Sequence, residues 1–284
     1  MYLTESEKQL LEFYESEKYL EEKLIQFNKG KKFGQIVFLA GGAGSGKGFA
    51  IKNFLGAENF KVRDVDEWKK SFMKIAKLKN KYPEIRDLDL KKPQDVFKMH
   101  QFIKDLGIKD KTLDNMLNQA KQDRLPNIMF DVTLKDLGDI KDVLPRLRDA
   151  GYDPKNIHVV WVLTNFYAAI KNNAGRDRVV PKDILLKTHQ GARDSMADII
   201  KGNVPRGVDG SVHVILNNRE ETVFWVDPKT GEELKKKPVK SFTSLQLKEP
   251  GKPVKKDEEI QKQVFDWIEN NTPGDSLETV KKVA

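Results

Sequence analysis

The sequence predicts a three-layer α/β domain with a mostly parallel sheet, carrying helical extensions at both ends. Three observations predict it. Short apolar runs alternate with longer amphipathic stretches, as strands alternate with crossover helices. Some of these runs, such as IHVVWVLT over residues 157–164, are apolar on both faces, the pattern of strands covered on both sides. The first run, GQIVFLAGG, ends in glycines directly before a helical stretch.

Residues 4–28 open with Thr4 and Glu7 at capping-box spacing and place Leu10, Leu11, Tyr14, Leu20, Leu24 and Phe27 at helical intervals, which predicts an amphipathic helix. A strand then leads into the glycine turn and a helix over residues 47–55. The segment FKVRDVDEW reads as a second strand ending in acidic residues, followed by a Lys-rich helical stretch to about residue 122. NIMFDVT is the third strand, and LKDLGDIKDVLPRLRDAG one helix stopping at Gly151. After the fourth strand, a helix over residues 181–201 begins at Pro181. SVHVILNN and ETVFWVD flank the turn at Asn217, Asn218 and Arg219 as a late strand pair.

Residues 234–256 carry eight Lys and one Glu, with Pro238, Pro250 and Pro253 interrupting them. They read as a basic linker or arm. Residues 257–271 regain helical spacing through Ile260, Val264, Phe265 and Ile268. The expected division is an N-terminal helix over 1–30, the main domain over 31–232, the linker over 233–256, and a helix and tail over 257–284.

Composition excludes several classes. With 38% hydrophobic and 33% charged residues, the chain can build a core, which rules out wholesale disorder. No apolar run is long enough to span a membrane, and the start MYLTESEKQL is acidic, so a soluble, unexported protein is expected, compatible with the cytoplasm. Zero cysteines exclude disulfides and thiolate sites, and the four scattered histidines lack metal-ligand spacing.

The most informative segment is Gly41-Gly42-Ala43-Gly44-Ser45-Gly46-Lys47-Gly48, which fits GxxxxGK between a strand and a helix. Small residues let the backbone curl around polyphosphate with N–H groups inward, while the helix directs its positive end at the same oxygens. Residues Gly42 to Gly48 are therefore the expected ATP or GTP site, with Lys47 on the β- and γ-phosphates. Gly48 stands where a Ser or Thr normally ligates Mg²⁺. Either Mg²⁺ is held by Asp64, Asp66 or Asp131 and water, or metal binding is weak.

Asp64 and Asp66 lie at the carboxyl edge where α/β sheets bind ligands. Asp66 is the preferred proton acceptor and Asp64 the metal or acceptor contact, and a one-residue shift of the strand end would exchange them. Asp131 ends the third strand with Thr133 close behind. It reads equally as a Mg²⁺ or substrate contact and as an N-cap. Arg176 and Arg178 lie on NNAGRDRVVPK, a candidate lid whose guanidinium groups would neutralise charge on the transferred phosphoryl. Trp68, Phe72, Trp161, Trp225 and Trp267 read as packing residues, and His189 as surface or packing.

The order of these segments resembles the zeta toxin family of P-loop kinases. Asp64, Asp66, Trp68 and Lys69 match its D-x-D-x-aromatic-basic segment, Arg178 matches an Arg three residues before the lid-helix Pro181, and NREETVFW is similar to its late Asn-Arg turn and strand. The resemblance extends over roughly residues 35–228. It implies ATP-dependent phosphorylation of a hydroxyl, in the best-known members on an amino-sugar nucleotide, with an aspartate as base. Substrate contacts would then come from Asp64, Lys69, Asp131 and Thr133. The departures are Gly48, Asp131 where many members carry Glu, and a further lid Arg for which Arg176 and Lys171 are candidates. The glycine-rich signature is also similar to that of kinase-like proteins of large tailed phages, for which the host cytoplasm would be the compartment.

The expected function is thus a phosphotransferase acting on a small molecule, nucleotide or nucleotide sugar. The alternative is a nucleic-acid-associated ATP-binding protein or polynucleotide kinase using residues 234–256, which the net charge of +8 permits. The terminal helices are candidate contacts for a protein partner.

Overall fold

The structure is a computed structural model that describes residues 25–27, 33–57, 59–79, 82–118, 124–176, 179–234 and 239–274. The predicted N-terminal helix over residues 4–28 lies largely outside them.

The strands are β1 (Ile36–Ala40), β2 (Phe60–Arg63), β3 (Asn127–Asp131), β4 (Ile157–Leu163), β5 (Val212–Leu216), β6 (Thr222–Phe224) and β7 (Val239–Lys248). They form one seven-stranded sheet in the order β2-β3-β1-β4-β5-β7-β6. The first five in that order run parallel, and β7 is antiparallel to both β5 and β6. The helices are α1 (Lys47–Asn53), α2 (Val65–Lys79), α3 (Pro93–Asp105), α4 (Ile108–Asn118), α5 (Gly138–Lys141), α6 (Leu144–Asp149), α7 (Phe166–Ala174), α8 (Lys182–Ile200) and α9 (Glu258–Asn271).

Period-2 alternation divides the strands into two cores. Ile36, Phe38, Ile128, Phe130, Val159, Trp161, Val212 and Val214 share one face with Met196 and Ile199 of α8 and Val264 and Ile268 of α9. Val37, Leu39, Met129, Val160, Val162 and Ile215 share the other with Ala50, Phe54, Ile25 and Phe27. A parallel sheet covered on both sides is the predicted three-layer arrangement. Within it, buried His158 is bonded at both ring nitrogens: Nδ1 accepts from the Ser211 N–H at 2.8 Å, and Nε2 faces Gln35 Oε1 at 3.0 Å. This pairing sets the neutral tautomer, and burial, with His213 and Lys248 nearby, lowers its pKa to about 3.

Three expectations need correction. Residues 239–248, read as linker, are a strand. Their Ser, Phe, Thr and Leu residues bridge β5 and β6, and Lys248 is buried with its ammonium on Asp209 Oδ1 at 2.8 Å. β5 and β6 accordingly do not pair as a hairpin, because β7 inserts between them. The segment read as one helix before Gly151 is two short helices, α5 and α6, with Pro145 in the first turn of α6, where its missing N–H is tolerated.

α2 to α4 form an insert after β2 with its own small core of Met73, Ile85, Met99 and Ile103. It is tied back where Arg146 of α6 pairs with Asp110 and Asp114 of α4. Arg63, at the end of β2, donates to Lys109 O and lies 5.5 Å from the Trp68 ring and 5.2 Å from the Phe130 ring. Burial, then Arg146, pulls its pKa down to about 10, with Asp110 opposing.

Candidate active site

β1 delivers the chain to Gly41 at the carboxyl edge of the sheet, where the loop turns into α1. Two of its glycines are required by the backbone: Gly44 has φ +77° and Gly46 φ +82°, the left-handed region. A Cβ at Gly44 would stand 2.3 Å from Ala169 O, and one at Gly46 2.3 Å from Asn217 Nδ2. The loop is thus packed hard against α7 and the end of β5.

The carbonyls of the loop are tied outward, one after another. His189 of α8 donates from Nε2 to Ala43 O at 2.9 Å. Asn172 of α7 donates to Gly44 O at 3.2 Å. Ser45 O accepts from Thr164 Oγ1 at 2.7 Å and from Asn217 Nδ2 at 2.8 Å. With three consecutive carbonyls held by surrounding elements, the peptides of Gly44 and Gly46 can offer their N–H groups to an anion, while the Ser45 N–H closes a turn on Gly42 O at 3.2 Å and the Ala43 N–H faces Thr188 Oγ1 at 3.5 Å. The N–H groups of Lys47 and Gly48, which open α1 and have no intrahelical acceptor, add the positive end of that helix.

Lys47 Nζ donates to Gly41 O at 2.6 Å and stands 3.5 Å from Asp131 Oδ1, with both side chains mostly buried. The register explains this meeting: Leu39 of β1 is level with Asp131 of β3. Asp131 is no N-cap, since the next helix begins only at Gly138. Arg63, the last residue of β2, is level with Phe130, so the backbone of Asp64, one residue beyond the strand, is level with Asp131.

The family model described as zeta toxin matches residues 23–229 of the chain. The chain belongs to the zeta toxin family. Among solved structures it is similar to AvrRxo1-ORF1:-ORF2 with ATP, at 12% identity and a TM-score of 0.53, covering 95% of this chain and 72% of that one. It is also similar to a component of the PezAT chromosomal toxin-antitoxin system of Streptococcus pneumoniae, at 11% identity and a TM-score of 0.43, covering 100% and 98%. No curated protein matches. Fold and family together make this zeta toxin relative a P-loop kinase. No helix among the described residues is long and apolar enough to cross a membrane.

Lys69 is buried on α2, Thr133 is half-buried beyond β3, and Arg176 is exposed just past α7. Asp66 lies in the first turn of α2, where only the backbone is described, and Arg178 lies outside the described residues. The lid segment is anchored at its far end: Asn173 exchanges two hydrogen bonds with the backbone of Val180, and Val179 donates to Leu90 O of the insert at 3.3 Å. Surface cavities of about 540 and 580 Å³ both lie on the insert, away from the glycine loop.

No group of three His, Asp or Glu among the described residues is placed to hold a metal. Mg²⁺ in kinase sites keeps several waters and takes one or two carboxylates besides the phosphates. Asp131 at the end of β3 and Asp64 just past β2, level with each other on adjacent strands, fit that demand, whereas Gly48 offers no hydroxyl.

Sequence reasoning missed the residues that shape the loop. His189 packs against it, and its pKa falls to about 4 through burial, opposed by its bond to Ala43 and reinforced by Lys47. In the sequence Asn217 reads only as a turn residue, Thr164 as the end of the fourth strand and Asn172 as the start of the candidate lid. The available signal was position: Asn217 and Thr164 each directly follow a parallel strand at the ligand-binding edge.

Proposed function

We propose that this kinase transfers the γ-phosphoryl group of ATP to a hydroxyl of a small molecule, with nucleotides and nucleotide sugars as the acceptor class. The acceptor oxygen bonds to the γ-phosphorus as the bond to the β–γ bridging oxygen breaks. ADP leaves, and the hydroxyl proton passes to Asp66, whose place at the start of α2 puts it at the same sheet edge as Lys47. Lys47 and the loop amides neutralise the β- and γ-oxygens, and Arg176 and Arg178 close over the transferred group. Asp64 and Asp131 would hold Mg²⁺, which supplies charge neutralisation between the phosphates. Lys69 and Thr133 contact the acceptor.

The observation that carries this reading is the glycine loop with its carbonyls tied outward and Lys47 beside Asp131. A nucleic-acid substrate gains no support from residues 239–248, which are built into the sheet rather than free as an arm. The test is incubation with Mg²⁺ and γ-labelled ATP against nucleosides, nucleotides, nucleotide sugars and oligonucleotides. Label is expected on a small hydroxyl acceptor. Label appearing only as inorganic phosphate, or only on oligonucleotide ends, would overturn the proposal.

A further inference from the structure

The props of the glycine loop are themselves braced from a distant part of the chain. Asn218, next to Asn217, donates from Nδ2 to Oδ1 of Asn271 at 2.8 Å, and both residues are buried. The other end of the Asn218 amide accepts from the Asn165 N–H at 2.8 Å. Asn165 caps α7, the helix whose Asn172 and Ala169 meet Gly44, and it follows Thr164, which holds Ser45 O. Just beyond Asn271, Pro273 O and Gly274 O accept from Arg193 and Gln190 of α8, the helix that carries His189. Residues 271–274 thereby touch both the β5 turn and α8, the elements that between them hold Ala43 and Ser45.

We infer that Asn271, at the end of α9, is a positioning residue for the nucleotide site, acting through Asn218 on Asn217 and Asn165. An amide side chain such as that of Asn218 has a donor end and an acceptor end, and only one orientation serves both neighbours here. The Asn271 carbonyl selects that orientation. Without it a buried NH₂ group is left unpaired, the amide turns, and the Asn165 N–H loses its acceptor. The loop carbonyls are then held less firmly and the inward amides lose their alignment. The C-terminal helix, formally an appendage beyond the matched family region, is on this account part of the phosphate site's support. The inference rests on the reading that the glycine loop binds ATP.

The test uses the full chain and the non-hydrolysable analogue AMP-PNP with Mg²⁺. Asn271→Leu is expected to weaken binding about tenfold and raise the KM for ATP more than it lowers kcat. Asn271→Asp keeps the acceptor for Asn218, although it sets an oxygen against Trp267 O where Nδ2 donates at 2.8 Å, and is expected to bind AMP-PNP more tightly than N271L despite a lowered melting temperature. Val264→Ala cuts into the apolar face of α9 and is expected to lower the melting temperature with affinity unchanged. Should N271L not fold, Asn271→Ala carries the same expectation. Wild-type affinity in the variants lacking the acceptor, or affinity that tracks melting temperature alike in N271L and V264A, overturns the inference. Failure of wild type itself to bind AMP-PNP would instead strike the parent reading.

Discussion

The glycine loop and the insert of α2 to α4 stand at one edge of the same sheet and are built on opposite plans. The loop has little side-chain mass, yet its backbone is fixed from four directions, by Thr164, Asn172, His189 and Asn217. The insert has long helices around a small core of its own, with four buried residues among those described, and it is joined to the rest by Leu113 of α4 in the main core, by Arg63 and by the Arg146 pairs. Donor binding needs one fixed geometry for phosphate oxygens, whereas an acceptor must enter and leave. The contrast teaches that rigidity here is assigned by polar tethers rather than by burial alone.

The comparison can be broken most sharply from the insert. Met99 is fully buried there, and Met99→Ala should cost about 2–5 kcal/mol. Denaturant unfolding reads that loss, and nucleotide affinity should stay near wild type. Affinity falling in step with stability would mean that the two regions are not separate. On the loop side, Lys47→Ala should lower phosphoryl transfer by roughly 10²–10³-fold with the melting temperature little changed, as steady-state kinetics and thermal scans would show. Gly44→Ala forces a side chain into a left-handed backbone against Ala169 O, and should cost about 1–3 kcal/mol while sharply weakening ATP binding.

Acid sharpens the comparison, because the loop prop His189 is among the buried histidines. His158 is lowered to about 3, and His189 and His213 each to about 4, all chiefly by burial. Between those values and the unfolded value near 6.5, the unfolded chain binds more protons, so stability rises with pH across that window. It should be complete above about pH 6.5 and fall as pH drops toward 4, by about 1.4 kcal/mol per pH unit for each histidine. Replacing His189 with Gln, measured by denaturant unfolding across that range, should remove one proton from the slope. The smallest effect is expected at Gly48, where a Cβ meets nothing within 4 Å. Gly48→Ser should change stability by less than about 1 kcal/mol and lower the Mg²⁺ concentration needed for half-maximal turnover.

Much of this was legible in the sequence, for identifiable reasons. Strands buried on both faces announce themselves as apolar runs, so β1, β3, β4 and β5 emerge close to their observed bounds. The glycine loop is read from chemistry that only small residues and a lysine permit. β7 was hidden because its sequence, VKSFTSLQLK, has polar residues across from an edge strand and sits among lysines that look like an arm. A late antiparallel insertion between β5 and β6 leaves no local mark, since nothing in a strand names its partner. The tethers left little trace for a related reason, beyond the position of Thr164 and Asn217 just after parallel strands. Thr164, Asn172, His189 and Asn217 are far from the loop in sequence, and their value lies in where the carbonyls of residues 43–45 point, which is a tertiary fact.

The account stands on amides of residues 42–48 facing a triphosphate. Hydrogen–deuterium exchange with and without AMP-PNP and Mg²⁺ tests this most directly. Protection concentrated in residues 41–50, with little change in residues 84–106 of the insert, is the predicted result. Protection confined to the insert, with residues 41–50 exchanging as before, would contradict it.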